Sequence, residues 1–411
     1  MKLLIVTQYF PPEVGAAQAR LLAMSRELMD AGHSVEVVTS LPNYPAGRIF
    51  PEYRGMLRKN EVYEGISVRR IWSYASQGVG MGRMWNYLSF LVGAALVMCG
   101  CKRPDYIFVE VPPLPLAISA ILAARLWRVP VIVNVSDLWP DSAIEMGIIG
   151  KGVAARALLA LERWTYAHAD YVCAVTRGIM DSLESQKQVP ASKLLFLPNG
   201  VDTAVFGPRV PEAGLRDRLK LYQKNLIVYA GTHSLANGLE SILDAAAELS
   251  AEPEYHFVLV GSGSAKQSLM ERAHALRLDN VSFFDPVPQA EVSALYSIAL
   301  CGVVSLRDIP IFRSARPAKT LAVMACGKPV LWVCNSHGSI VSEADAGIVV
   351  DPADIRGIAN AIRALGSNPG LAAYLGQNGR RYVEQHCTWS QVVTNWLGQL
   401  EQRGIRTTAS M

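Results

Sequence analysis

Two cations three residues apart, Arg316 and Lys319, open a stretch that continues as Thr320-Leu321-Ala322-Val323-Met324-Ala325 and stops at Cys326-Gly327-Lys328-Pro329. A helix beginning there would aim backbone N–H groups and positive side chains at one spot, and a phosphate is the ligand that suits it. The same residues also fit an ordinary buried helix with two solvated cations outside it. Upstream, Gly231-Thr232-His233 and Gly261-Ser262-Gly263 each follow an apolar run and precede a helical pattern, where glycine lets a nucleotide lie against backbone. Each turn alone reads equally as a plain tight turn. Several facing one crevice, together with Lys319 and Arg316, point to a nucleotide-diphosphate site. In the first half, Asp137 stands just past the strand-like run 129–135, where a residue of a parallel sheet faces the ligand crevice. It is placed to do chemistry or to hold a sugar hydroxyl, or else to N-cap the next helix.

The elements that must position these residues repeat as apolar run, turn, helical pattern. Leu3-Leu4-Ile5-Val6 leads through Pro11-Pro12-Glu13 and Gly15-Ala16-Ala17 into an amphipathic segment, the opening of a βαβ unit in which Gly15 would let a ligand approach the helix start. Further strands are expected at 35–39, 65–72, 104–110, 129–135, 171–175 and 194–197. The pattern then starts over at Leu226-Ile227-Val228-Tyr229-Ala230. At 411 residues the chain is too long for one core and suits two domains of roughly 200 residues. The polar stretch beginning at 203 divides it into 1–203 and 204–385, with a terminal helical segment, 386–411, expected to pack across the junction.

Composition narrows the function classes. A net charge of +4 with no zinc-finger spacing and no basic block interleaved with aromatics does not suggest nucleic acid. Seven cysteines, several inside apolar runs, read as reduced, buried thiols, and Cys99-Gly100-Cys101 lacks metal-site spacing. The first apolar run is cut by Pro11-Pro12, which points to a cytoplasmic strand and not a leader. The apolar segment 88–99, about a dozen residues, falls short of the roughly 20 needed to span a bilayer. It is either a core helix or a helix dipping into a membrane surface, with Arg83, Trp85 and Tyr87 before it and Lys102-Arg103 after it as interfacial anchors.

Along nearly its whole length the chain resembles the family 4 retaining glycosyltransferases. The carrying motifs are Tyr9-Phe10-Pro11-Pro12-Glu13 to Gly15, Gly32-His33-Ser34, Leu138-Trp139-Pro140-Asp141, Pro198-Asn199-Gly200-Val201-Asp202, Tyr229-Ala230-Gly231-Thr232-His233, Val260-Gly261-Ser262-Gly263 and Met324-Ala325-Cys326-Gly327-Lys328-Pro329. The resemblance implies an α/β GT-B fold, two Rossmann-like domains facing a central cleft. Within the family it is nearest to bacterial O-antigen, capsule and colanic-acid enzymes of the fucosamine-transferase-like group. It implies a nucleotide sugar, UDP-linked, and an undecaprenyl-diphosphate-linked acceptor at the inner face of an anionic cytoplasmic membrane. No cofactor and no metal are expected.

Carried over residue by residue, the resemblance assigns Asp137, Lys319 and Arg316 to catalysis. Gly15, Gly231, Thr232, His233, Gly261, Gly263, Val287, Ser314 and Lys319 would bind the donor, with Val287 beside the base. Glu13, Ala16, Arg20 and Asp141 would face the acceptor. Four positions depart from the pattern. Ser314 and Ala322 stand where many members carry glutamate, Ser136 where many carry histidine, and Asn237 where many carry lysine. Those departures leave open a binding or scaffold subunit that no longer catalyses. A nucleotide-sugar epimerase fits the opening stretch less well.

Overall fold

The computed structural model describes residues 1–44, 46–76, 80–209, 225–310, 312, 315–335 and 339–404. The chain divides into two compact units. One comprises Met1–Asn199 together with Trp389–Met411, the other Gly200–Thr388.

The first unit carries strands β1 Lys2–Val6, β2 Ser34–Ser40, β3 Arg58–Tyr63, β4 Ile66–Ile71, β5 Tyr106–Val111, β6 Val131–Val135, β7 Tyr171–Ala174 and β8 Leu194–Phe196. They form one sheet in the order β3-β4-β2-β1-β5-β6-β7-β8. All its neighbours pair parallel except β3 with β4. The second unit carries β9 Asn225–Ala230, β10 Tyr255–Val260, β11 Val281–Phe284, β12 Cys301–Ser305, β13 Val330–Val333 and β14 Gly347–Val350. Its sheet runs β11-β10-β9-β12-β13-β14, parallel throughout. Helices cover both faces of such sheets, which is why central strands such as Val131–Val135 and Tyr255–Val260 are buried at every position and read as unbroken apolar runs.

Two helices meet at residues 387–388, with different allegiances. Pro369–His386 stays with the second unit, where Val383 enters the core. Trp389–Gln402 belongs to the core of the first, where Trp396 lies edge-on to Phe108 at 6.0 Å and its Nε1 donates to Cys173 Sγ at 3.3 Å. The Gln399 amide also accepts from Phe196 N at 2.8 Å and donates to Phe196 O at 2.9 Å. That side chain satisfies both polar groups of an edge-strand residue as a further strand would.

The apolar segment expected at 88–99 belongs to a longer helix, Met81–Met98. Its inner face buries Asn86, Phe90, Gly93, Ala94 and Met98, and Asn86 is held by Gln8 Nε2 and by the Tyr74 carbonyl. The outer face leaves Met81, Trp85, Leu88, Val92 and Leu96 exposed. Among the described residues no helix is long and apolar enough to cross a membrane.

Candidate active site

An open parallel sheet offers a ligand its crevice where strand order reverses, because the loops leaving two neighbouring strands there run in opposite directions. In the second unit the reversal falls between β9 and β12. Gly231 follows β9. Leu306 and Arg307 follow β12, and the chain then enters the helix Ala318–Ala325.

Lys319 reaches back from the first turn of that helix onto the β9 turn. Its Nζ donates to Tyr229 Oη at 2.7 Å and to Asn237 Oδ1 at 3.3 Å, and lies 4.0 Å from the Tyr229 ring centroid. A Cβ built on Gly231, whose φ is 155°, would sit 2.8 Å from Lys319 Nζ. Any side chain there would therefore displace the ammonium. Tyr229 Oη donates to the Thr232 carbonyl at 2.7 Å and Asn237 Nδ2 to the same oxygen at 2.8 Å, so the loop that frames the ammonium is pinned. The residue as a whole is only half-buried, but its ammonium is desolvated, and burial lowers it to about 7. It is a cation seeking an anion.

The second glycine turn packs on the first. A Cβ on Gly261 would fall 1.9 Å from the Gly231 carbonyl oxygen, while His233 N donates to Ser262 O at 2.9 Å. Gly263 lies just as tightly against the His233 carbonyl. His233 is itself fully buried, between the rings of Tyr229 and Phe283 at 5.7 and 6.2 Å. Burial first, then Lys266 and Lys319, push its imidazole down to about 4. It is neutral near pH 7 and adds no charge. Thr232 is exposed, and Val287 is half-buried against the core of this unit. Ser314 lies outside the described residues.

Arg316 is corrected by the structure. The helix begins at Ala318 with Pro317 as its N-cap, so Arg316 is not in the first turn. Its guanidinium pairs with Glu343, which also accepts from Tyr382 Oη at 3.2 Å. Its charge is thus engaged by that carboxylate.

In the first unit the strand reversal falls between β1 and β5. Gly15 is the N-cap of Ala16–Asp30 in an extended conformation, and Ala16 is exposed at the helix start. Glu13 turns inward: its carboxylate accepts from the backbone N–H groups of Asn43 and Tyr44, both at 2.8 Å, and of Phe10 at 3.2 Å. It fastens the loop after β1 to the loop after β2. Burial raises this carboxyl to about 7, against the pull of the three N–H groups and Arg70. Arg20 is likewise buried, paired with Glu110, whose other oxygen accepts from Asn134 Nδ2 at 2.8 Å. Neither Glu13 nor Arg20 presents its charge to an acceptor.

Asp137 does face outward. It is not an N-cap, since Pro140 takes that position in Asp141–Glu145. It accepts from Ser142 Oγ at 2.9 Å, and partial burial raises its carboxyl despite that bond and one from Leu138. Asp141 is drawn away from the surface by Lys187, whose Nζ lies 2.5 Å from Asp141 and 2.7 Å from the fully buried Glu162. Tyr166 Oη donates to Glu162 at 3.1 Å. Lys187 and Glu162 thus brace the turn that displays Asp137.

With two doubly wound units and a lysine at one switch point, the chain can be set against known proteins. Residues 15–200 match the family described as Glycosyl transferase 4-like domain, and residues 215–382 match Glycosyl transferases group 1. The chain is a glycosyltransferase of the GT-B, family 4 type. A protein named as a colanic acid biosynthesis glycosyl transferase, WcaI of Escherichia coli K12, is 27% identical over 88% of this chain and 91% of its own. Sucrose-phosphate synthase of Thermosynechococcus elongatus superposes with a TM-score of 0.76 at 19% identity, covering 98% of both chains. Anabaena HepE in complex with UDP-glucose superposes at 0.72 and 17% identity, over 98% of this chain and 100% of its own. These likenesses to solved structures show the fold.

In this glycosyltransferase the sequence motifs place Lys319, Gly231, Gly261 and Gly263 together correctly. They miss Tyr229 and Asn237 as the partners of the ammonium. Tyr229 reads only as a strand residue, since nothing local reveals that it will meet a lysine 90 positions on.

Proposed function

We propose that the protein transfers a sugar from a UDP-sugar to a lipid-diphosphate-linked saccharide during synthesis of a bacterial surface polysaccharide, with retention of configuration and without a metal ion. An N-acetylfucosamine-type sugar is the donor moiety that the fucosamine-transferase resemblance favours. The observation that carries this reading is the desolvated Lys319 ammonium over Gly231 at the β9/β12 switch point. The UDP-glucose bound by HepE and the biosynthetic role in the name of WcaI support it.

In this scheme Lys319 and the N–H groups at the start of Ala318–Ala325 stabilise charge on the departing diphosphate, held in place before the bond breaks. Attack comes from the same face, and the departing phosphate takes the proton of the acceptor hydroxyl. Asp137 holds a sugar hydroxyl. The outer face of Met81–Met98, with Trp85, Leu88, Val92 and Leu96, and exposed Leu122 and Leu126 on the adjoining helix Leu116–Trp127, rests on the inner face of the cytoplasmic membrane. Lys102, Arg103 and Arg125 supply charge for anionic lipid beside this apolar strip.

Purified protein incubated with labelled UDP-sugars and a lipid-diphosphate acceptor, with and without chelator, tests the reading. Transfer that survives chelation supports it. Failure with every donor, or dependence on a divalent ion, would overturn it. Ala322, which places no carboxylate in this helix, favours a second reading, a binding subunit without catalysis. UDP binding without any transfer would establish that reading instead.

A further inference from the structure

The diester-linked diphosphate of a nucleotide sugar carries two negative charges, and the crevice described so far supplies one cation. Lys319 is in place, Arg316 is committed to Glu343, Lys266 to Asp285 and the Phe284 carbonyl, and His233 is buried among aromatic rings. Asn237 stands beside the ammonium but is neutral. Among the described residues the β9 side of the switch point offers no second uncommitted cation, and the β12 side provides one.

Arg307 is the second residue after β12, the strand that lies beside β9. Its backbone N–H donates to the Ala236 carbonyl at 2.9 Å, which fixes it to the loop carrying Asn237. The next residue, Gly238, is left-handed with φ 54°, and a Cβ on it would sit 3.3 Å from Arg307 N and Cγ and 3.4 Å from its Cα. A side chain at 238 would push the two loops apart, so glycine there holds Arg307 against the Asn237 turn. Buried Ser305 adds a weak tie, its Oγ donating to the Gly238 carbonyl at 3.4 Å. The Arg307 side chain is exposed, and among the described residues its guanidinium has no hydrogen-bond or ion-pair partner. An arginine whose backbone is pinned and whose head is unengaged costs little to recruit, and its fork matches two phosphate oxygens.

We propose that Arg307 is the second phosphate-binding cation of the donor site, closing on the diphosphate from the β12 loop while Lys319 holds it from the helix start. The assignment rests on the donor reading above and goes beyond it by naming the group that balances the ligand's charge.

Isothermal calorimetry with UDP and with GDP, on the full chain and on Arg307→Ala, Arg307→Lys and Arg307→Glu, tests it. Melting of each variant without nucleotide comes first and should match the parent, because the side chain is exposed. Arg307→Ala should weaken diphosphate binding roughly tenfold or more. Arg307→Lys should recover part of that loss, and Arg307→Glu should lose most. Arg307→Ala binding UDP or GDP as tightly as the parent would overturn the assignment while leaving the donor reading intact. A parent chain that binds neither nucleotide would remove the donor reading, and this assignment with it.

Discussion

The space that a side chain on Gly231 would fill is occupied by the ammonium of Lys319, 2.8 Å from the position of the missing Cβ. A strand end and a helix start far apart in sequence are thereby joined around one charge. The fold holds that charge out of water, and among the described residues no carboxylate pairs with it. Tyr229 and Asn237, the two groups that receive it, are neutral. Such an arrangement costs stability and gains it back when an anion arrives.

Replacing Lys319 by methionine should therefore separate stability from function. The variant should melt at or above the parent's temperature, since a desolvated ammonium is removed. Transfer should fall by at least a hundredfold, as expected for loss of a group that stabilises developing charge. Melting curves and initial rates measured on one preparation check both halves.

The same lysine sets a pH dependence. In the free protein its pKa lies at about 7, and a bound diphosphate favours the ammonium and raises it. Below pH 7 the proton is already present and affinity for UDP is at its full value. As pH rises from 7 toward the bound-state pKa, binding must take up a proton and affinity falls. Calorimetry at pH 8 in buffers of different ionisation enthalpy should register proton uptake in the parent and none in Lys319→Met.

Glu13 makes a stability prediction. Glu13→Ala orphans the N–H groups of Phe10, Asn43 and Tyr44 and should cost about 2 to 3 kcal/mol in chemical denaturation. Because its folded pKa is raised to about 7, above the ordinary carboxylate value, the parent binds an extra proton on folding. Its contribution is fully present below the unfolded pKa and is lost as pH rises through about 7. The alanine variant should lack that segment of the pH profile.

How far the sequence foretold this structure depended on the range of the interaction. Parallel strands covered on both faces leave uninterrupted apolar runs, so β5, β6, β9 and β10 are legible, and the glycine turns together with the family resemblance foretold the meeting of Gly231 with Lys319. Side-chain partnerships across the fold are not. Arg316 turns to Glu343, Arg20 to Glu110 and Asp141 to Lys187, and each pairing depends on packing that no local pattern records. Charged residues near a motif thus look like ligands until their partners are known. The helix Met81–Met98 was half-legible: its apolar character marks it, but only the structure separates the face on the sheet from the open one.

Lys187 supplies a further test. Its ammonium is the cation that neutralises Glu162, which has no solvent exposure. Lys187→Ala leaves that carboxylate buried, with a hydrogen bond from Tyr166 but with Asp141 repelling it, and should cost about 3 kcal/mol or more. Lys187→Met combined with Glu162→Gln removes both charges and should recover much of the loss, as measured by a double-mutant cycle in urea.

Trp396 is fully buried, and Trp396→Ala should cost about 3 to 5 kcal/mol. The order of synthesis gives that burial a second meaning. The helix Trp389–Gln402 fills the core of a unit whose other residues end at Asn199, and the whole second unit is translated between them. While the ribosome is still reading the intervening stretch, the half made earliest lacks its Trp396 plug and keeps the β8 edge unsealed. It must wait, partly assembled, for Trp389–Gln402 to emerge, so a message stalled or cut short before that helix would yield a finished second half attached to an unfinished first.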